Sequence, residues 1–299
     1  MNAIETKSVV ITGASSGIGR ASVSRMILSG WHVFATVRKS ADARRLESEL
    51  GPGLTAVVMD VQDRSSIIAA GEQVTSQLQG RGLDGLVNVA GIGMMRPIEY
   101  ASAQDLQEIF DINVFGQIVV TQMFLPLLRK ARGRIVNISS VGAHISIPFG
   151  GLLNSSKSAF GALSDTLRLE MRPFGVHVSV IEPGAINTPA VEKTLGNIDE
   201  VIEKFPAGGA SQYGSMLREF AHRAYEREMN GSSPDVVAEA VQHALTAARP
   251  RNRYRVGKHV HILTALPKIL PESLLDTLLL RIAGLPTKWA SMISGGESV

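Results

Sequence analysis

The segment Thr12-Gly13-Ala14-Ser15-Ser16-Gly17-Ile18-Gly19 constrains this chain more than any other. It follows the apolar run Val9–Ile11 and leads into a stretch with helical character. Three glycines in so short a turn let the backbone reverse tightly, so that a strand runs into a helix whose first N–H groups stay open to an anion. Glycine alone marks many ordinary turns. The strand before it and the helix after it are what point to a dinucleotide pyrophosphate.

The rest of the chain repeats that unit. Val33–Thr36, Ala56–Met59, Gly85–Val89, Arg134–Ile138 and His177–Ile181 read as further buried strands, with helical patterns such as Ser65–Gln79 and Gly151–Met171 between them. Strand–helix alternation at this spacing predicts an α/β fold, a parallel sheet covered by helices on both faces. No linker interrupts it, so the 299 residues read as one domain. Residues 187–233 are more polar and Gly-punctuated, and the tail from Lys258 carries apolar residues at helical spacing. Composition narrows the function. With 44% hydrophobic and 19% charged residues the chain folds. With no cysteine it has no disulfide, thiolate metal site or thiol nucleophile, and no metal site is expected. A net charge of +3 argues against a nucleic-acid binder. Arg251, Arg253 and Arg255 alternate along a further expected strand and read as a solvated face. Thr121, Gln122 and Pro126 interrupt the most apolar helical stretch, so no membrane-spanning helix is expected. The few residues before the first strand leave no room for a signal peptide, and a cytoplasmic protein is the expectation.

The end of the second strand indicates which dinucleotide. A carboxylate there would suit the ribose 2′-hydroxyl of NAD, whereas this chain has Val37-Arg38-Lys39-Ser40. Arg38 and Lys39 suit a 2′-phosphate, so NADP(H) is the expected cofactor. Asp60 and Val61, closing the third strand, are expected against the adenine.

These motifs, with Asn88-Val89-Ala90-Gly91, Asn113, Ile138-Ser139-Ser140 and Pro183-Gly184-Ala185-Ile186-Asn187-Thr188, resemble the short-chain dehydrogenase/reductase family over nearly the whole length. The tail, with Tyr254-Arg255-Val256-Gly257 and Leu270-Pro271-Glu272-Ser273-Leu274-Leu275, is similar to its retinol- and hydroxysteroid-dehydrogenase-like branch. The resemblance implies a Rossmann-type sheet of about seven strands, hydride transfer with a nicotinamide cofactor, and a homodimer or homotetramer joined through helices near Leu106–Arg129 and Gly151–Met171. It implies cofactor contacts from Gly13, Ser15, Ser16, Gly17, Ile18, Gly19, Asn88, Ala90, Gly91, Lys157, Pro183, Gly184, Ile186 and Thr188. It also makes residues 188–231 a substrate lid and 258–299 a C-terminal extension.

The family's reacting set is Asn, Ser, Tyr and Lys. Asn113, Ser140 and Lys157 match it, but the position four residues before Lys157 is Leu153. The interval from Ser140 to Leu153 is the family's own serine-to-tyrosine interval, so no shift in alignment restores a tyrosine. The four tyrosines, Tyr100, Tyr213, Tyr225 and Tyr254, lie elsewhere in the sequence. A leucine neither donates nor accepts a proton, and a missing general acid slows ketone reduction by about 10²–10⁴-fold. Three explanations stand side by side. The reacting centre is an iminium or hemiaminal, whose reduction yields a neutral amine and no alkoxide. Or His144, Lys157 or water replaces the tyrosine in an ordinary carbonyl or alcohol reaction. Or the chain binds NADP without turnover. An iminium near Lys157 would need a compensating carboxylate, and the lid offers Asp199, Glu200 and Glu203.

The substrate is expected to be a bulky, partly apolar small molecule met by Met94, Ser140, His144, Leu153, Tyr213 and Phe220. The lid's Phe205, Tyr213, Met216, Leu217, Phe220 and Tyr225 either line that pocket or pack the lid onto the core. The tail helix near Glu272–Ile282 either packs on the fold or a second subunit, or meets a membrane surface.

Overall fold

The computed structural model describes residues 6–287. Seven strands, β1 (Ser8–Ile11), β2 (His32–Val37), β3 (Leu54–Val58), β4 (Gly85–Asn88), β5 (Arg134–Ile138), β6 (His177–Pro183) and β7 (Arg253–Val256), form one sheet in the order β3-β2-β1-β4-β5-β6-β7. Every pairing is parallel. This is the doubly wound Rossmann-type architecture expected from the sequence. The third strand stops at Val58, one residue short of the expected Met59.

Strand alternation sends Val9 and Ile11 to one face and Val10 to the other. Helices α1 (Gly17–Leu28) and α2 (Ser40–Leu50) cover the first face together with α10 (Asp235–Thr246), through Val23, Met26, Leu46, Val237 and Val241. On the second face lie α3 (Arg64–Leu78) and α5 (Gly116–Ala131), with Val74, Val120, Phe124 and Leu128, joined by Met171 at the end of α6 (Gly151–Met171). Burial of these side chains contributes about 1.5–3 kcal/mol each.

Helix α4 (Ala103–Phe110) continues through a π-helical turn, Asp111–Phe115, into α5. The continuous span Ala103–Ala131 is long and apolar enough to cross a membrane by length and composition, against the sequence expectation, although half of its most apolar stretch is buried in this fold. Polar donors inside it bond within the fold. The Gln117 amide donates to Ala90 O at 2.8 Å, and the Thr121 hydroxyl to Gln117 O at 2.8 Å.

The lid comprises α7 (Pro189–Leu195), α8 (Ile198–Glu203) and α9 (Gly209–Met229). It has its own apolar cluster, in which Val191, Leu195, Ile198, Ile202, Leu217 and Phe220 pack with Phe149 and with Ala283 and Leu285 of the tail. The tail forms α11 (Val260–Ile269) and α12 (Glu272–Ile282), the latter with the expected bounds.

Candidate active site

β1 pairs with both β2 and β4, so the order of the strands reverses there and a crevice opens beyond their carboxyl ends. A cleft of about 510 Å³ occupies that crevice. Gly13, Ser15, Ser16, Gly17, Ile18 and Gly19 line it, with Arg38, Lys39, Asp60, Val61, Ala90, Gly91 and Thr188. The glycines are required by geometry. Gly13 and Gly17 have φ of +63° and +54°, and a Cβ on Gly19 would collide with the Gly13 carbonyl. Helix α1 opens with neither a side-chain cap nor an acidic residue in its first turn, so its N-terminal N–H groups are available to an anion. Thr12, whose hydroxyl role the sequence did not reveal, ties β1 to the loop after β4. Its Oγ1 accepts from Val89 N at 2.9 Å and from Ala90 N at 3.0 Å. Neither Arg38 nor Lys39 forms an ion pair among the described residues. The glycine cradle, the open helix N-terminus and two unpaired cations fit a dinucleotide phosphate.

Asn88, expected at the cofactor, is instead buried structure. Its amide donates to Thr121 Oγ1 and Asn137 Oδ1, both at 2.9 Å, tying β4 to α5 and β5. The backbone N–H of Ile186 is engaged by Glu228 Oε2 at 3.2 Å.

A second cavity of about 460 Å³ adjoins the cleft, and Ile18, Gly91 and Thr188 border both. Ser140, Leu153, Asn154 and Lys157 supply part of its wall, and Pro183, Gly184 and Ile186 another part. The remainder is mostly aliphatic, with Met95, Val191, Leu195, Phe220, Leu279 and Ile282. The loop after β4 therefore turns Met95 into this cavity, while Met94 faces the nucleotide cleft.

Lys157 Nζ donates to Ile138 O at 3.1 Å, and burial lowers its pKa from 10.5 to about 8. Ser140 Oγ accepts from Gly142 N at 3.0 Å and caps the turn that leaves β5. Leu153 stands one helical turn before Lys157 on α6 and lines the same cavity. Asn113 is fully buried and does not line it. Its amide accepts from Ile92 N and donates to Ile92 O and Ser156 Oγ, at 2.9–3.0 Å, which fastens the π-helical turn to α6 and the loop after β4. Asn113 thus acts through position.

Three further sequence expectations are corrected. His144 lies outside both cavities, because its Nε2 donates to the buried Glu182 carboxylate at 2.7 Å. Tyr213 is held away by a 2.8 Å bond to Glu99 and by edge contacts with Tyr100 and Phe149. Arg253 and Arg255 are no solvated face, since both pair with Glu182, and Arg253 also reaches Asp165. Arg251 alone remains exposed, over the Tyr254 ring. None of the four tyrosines lines either cavity. Of the lid carboxylates, Asp199 pairs with Arg218 at the surface, and Glu200 and Glu203 do not reach the cavity. Glu228, which the sequence did not single out, does.

Comparison with known proteins agrees with this architecture. The short chain dehydrogenase family model matches residues 7–198. Retinol dehydrogenase 7 of Rattus norvegicus is 36% identical over 281 residues, covering 92% of this chain and 88% of that protein. 17-beta-hydroxysteroid dehydrogenase type 6 of Mus musculus is 35% identical over 294 residues, covering 96% and 92%. Among solved structures, a short-chain dehydrogenase from Streptomyces avermitilis superposes with a TM-score of 0.72 at 25% identity, over 99% of this chain and 100% of that one. A closed serine dehydrogenase complexed with NADP+ superposes at 0.68 with 26% identity, over 84% and 94%. A glycine-cradled cleft at the switch point of a seven-stranded parallel sheet, and relatives aligned over nearly its full length, make this chain a member of the short-chain dehydrogenase family of oxidoreductases.

Proposed function

We propose that the chain is an NADP(H)-dependent reductase of a bulky, largely apolar small molecule whose reacting centre is an iminium or hemiaminal. The observation that carries this reading is the wall of the apolar cavity, where Leu153 stands beside Ser140 and Lys157 and no tyrosine is present. The bound cofactor supplies the hydride. Gly13, Gly17, Gly19 and the first turn of α1 would hold its pyrophosphate, and Arg38 and Lys39 a 2′-phosphate. Ser140 presents a hydroxyl that can assist departure of the hemiaminal oxygen. Leu153 and the aliphatic wall exclude water and accommodate an apolar body. Hydride addition to an iminium cation discharges it directly to a neutral amine, so that step needs no proton donor at position 153.

One observation favours a second reading. Lys157 titrates near 8, so it can deliver a proton near neutral pH in an ordinary carbonyl reaction. The names of the relatives, a retinol and a 17-beta-hydroxysteroid dehydrogenase, agree with alcohol or ketone substrates of similar apolar character. Under this reading the ketone rate falls above about pH 8, as Lys157 loses its proton. A Leu153→Tyr variant separates the two. The C=N reading expects it to gain ketone reduction by about 10²-fold or more while keeping imine reduction. An unchanged ketone rate counts against that reading.

We also propose a cytoplasmic homodimer or homotetramer. Phe115, Leu163 and Leu169, exposed on the helices expected at the subunit face, support the assembly.

A further inference from the structure

Among the residues lining the apolar cavity, Glu228 is the only carboxylate. It sits near the end of α9, on a wall that the lid supplies. Its two oxygens differ. Oε2 accepts from Ile186 N at 3.2 Å, whereas Oε1 has no hydrogen bond among the described residues and lies 3.9 Å from Arg227 Nε. The side chain keeps 30% of its surface open.

An ionised carboxylate only accepts hydrogen bonds, and one facing an aliphatic wall is unfavourable until a donor meets it. Burial pushes the Glu228 carboxyl above its usual range, while Arg227 and the Ile186 N–H pull it back down. The other charged or titratable groups lining the cavity are Arg227, Lys157, Lys258 and His259. Lys157 is bonded to Ile138 O, and Lys258 donates to Asn230 O at 2.6 Å.

We infer that Glu228 is a ligand-recognition site, accepting through Oε1 a hydrogen bond from a hydroxyl or a protonated nitrogen on an otherwise apolar ligand. This names a feature of the substrate class and rests on the reading that the cavity receives a bulky apolar molecule. The site selects for donors. An ether or hydrocarbon brings Oε1 no hydrogen-bond donor.

The test is calorimetric binding of three ring compounds of matched size, cyclododecanol, cyclododecylamine and cyclododecyl methyl ether, to the NADPH-loaded protein. The alcohol and the amine are expected to bind about tenfold or more tighter than the ether, the difference expected of a hydrogen bond to a charged group. Glu228→Leu should erase that difference. Glu228→Gln, which keeps an acceptor but no charge, should retain most of the alcohol's advantage and lose the amine's if a protonated nitrogen is the partner. Glu203→Gln, on the exposed side of the lid, serves as the control. If the Leu variant does not fold, the Gln variant decides on the amine, and an undiminished amine preference overturns the inference. Equal binding of all three compounds by the native protein overturns the inference but leaves the cavity reading intact. Binding of none overturns the cavity reading and the inference together.

Discussion

Replacing Lys157 by Met should stabilise the protein near neutral pH. Both states carry the ammonium at pH 7, but the folded state holds it in a site that lowers its pKa from 10.5 to about 8. At 1.36 kcal/mol per pH unit, keeping it charged disfavours the native state by about 3 kcal/mol. Methionine fills the same linear volume without charge, but it gives up the bond to Ile138 O, worth about 1 kcal/mol. The net gain at pH 7 is about 2 kcal/mol, or about 3 °C in Tm for a chain of this size. The sign follows from linkage. As pH rises from about 8 to 10.5 the native state releases its proton before the unfolded state does, so the native protein gains on the variant across that window. Above pH 10.5 only the lost hydrogen bond remains, and the variant is the less stable by about 1 kcal/mol. Reversible urea unfolding of both proteins between pH 6.5 and about 11 measures the difference. A Met variant less stable than the native protein by the same amount at every pH would refute the reasoning, because it would mean that Lys157 carries no burial penalty.

Other perturbations follow from the same geometry. Arg38→Ala should weaken NADPH about 10–100-fold and leave NADH unchanged, measured by cofactor fluorescence, because the guanidinium is unpaired in the cleft. Gly19→Ala should weaken either cofactor by about tenfold or more in the same titration, since its Cβ would force the Gly13 carbonyl aside. Glu182→Leu leaves Arg253, Arg255 and His144 without their shared carboxylate and should lower unfolding stability by about 3 kcal/mol in urea. His144→Gln, which keeps a donor for Glu182, should preserve turnover, and its loss would restore His144 as a proton donor.

The sheet was legible because parallel strands buried on both faces read as continuous apolar runs, and α6 because its helical period runs unbroken from Gly151 to Met171. The nucleotide cleft was legible because its residues are contiguous around one turn. The corrections arise where chain-distant partners decide a side chain's direction. The lid's aromatic content suggested Tyr213 for the pocket but could not say that its ring meets Tyr100 and Phe149 and not the cavity. Arg253 and Arg255 alternate as a strand should, yet the strand beside them carries Glu182. Asn88 ends a strand among cofactor-facing residues, and only the positions of Thr121 and Asn137 show that its amide nitrogen donates into the core. Met94 and Met95 differ by one residue in a loop, where no periodicity fixes the facing. Glu228 escaped notice because a carboxylate in a charged helix reads as surface until the fold brings it to Ile186.

The central claim is that the wall carrying Leu153, Ser140 and Lys157 reduces a centre that needs no tyrosine acid. Its most direct test is the rate of NADPH oxidation with a polycyclic imine carried as its iminium cation and with the ketone of the same ring skeleton, followed by absorbance. The account predicts turnover of the imine with the ketone slower by about 10²–10⁴-fold. A ketone reduced as fast as the imine would contradict it.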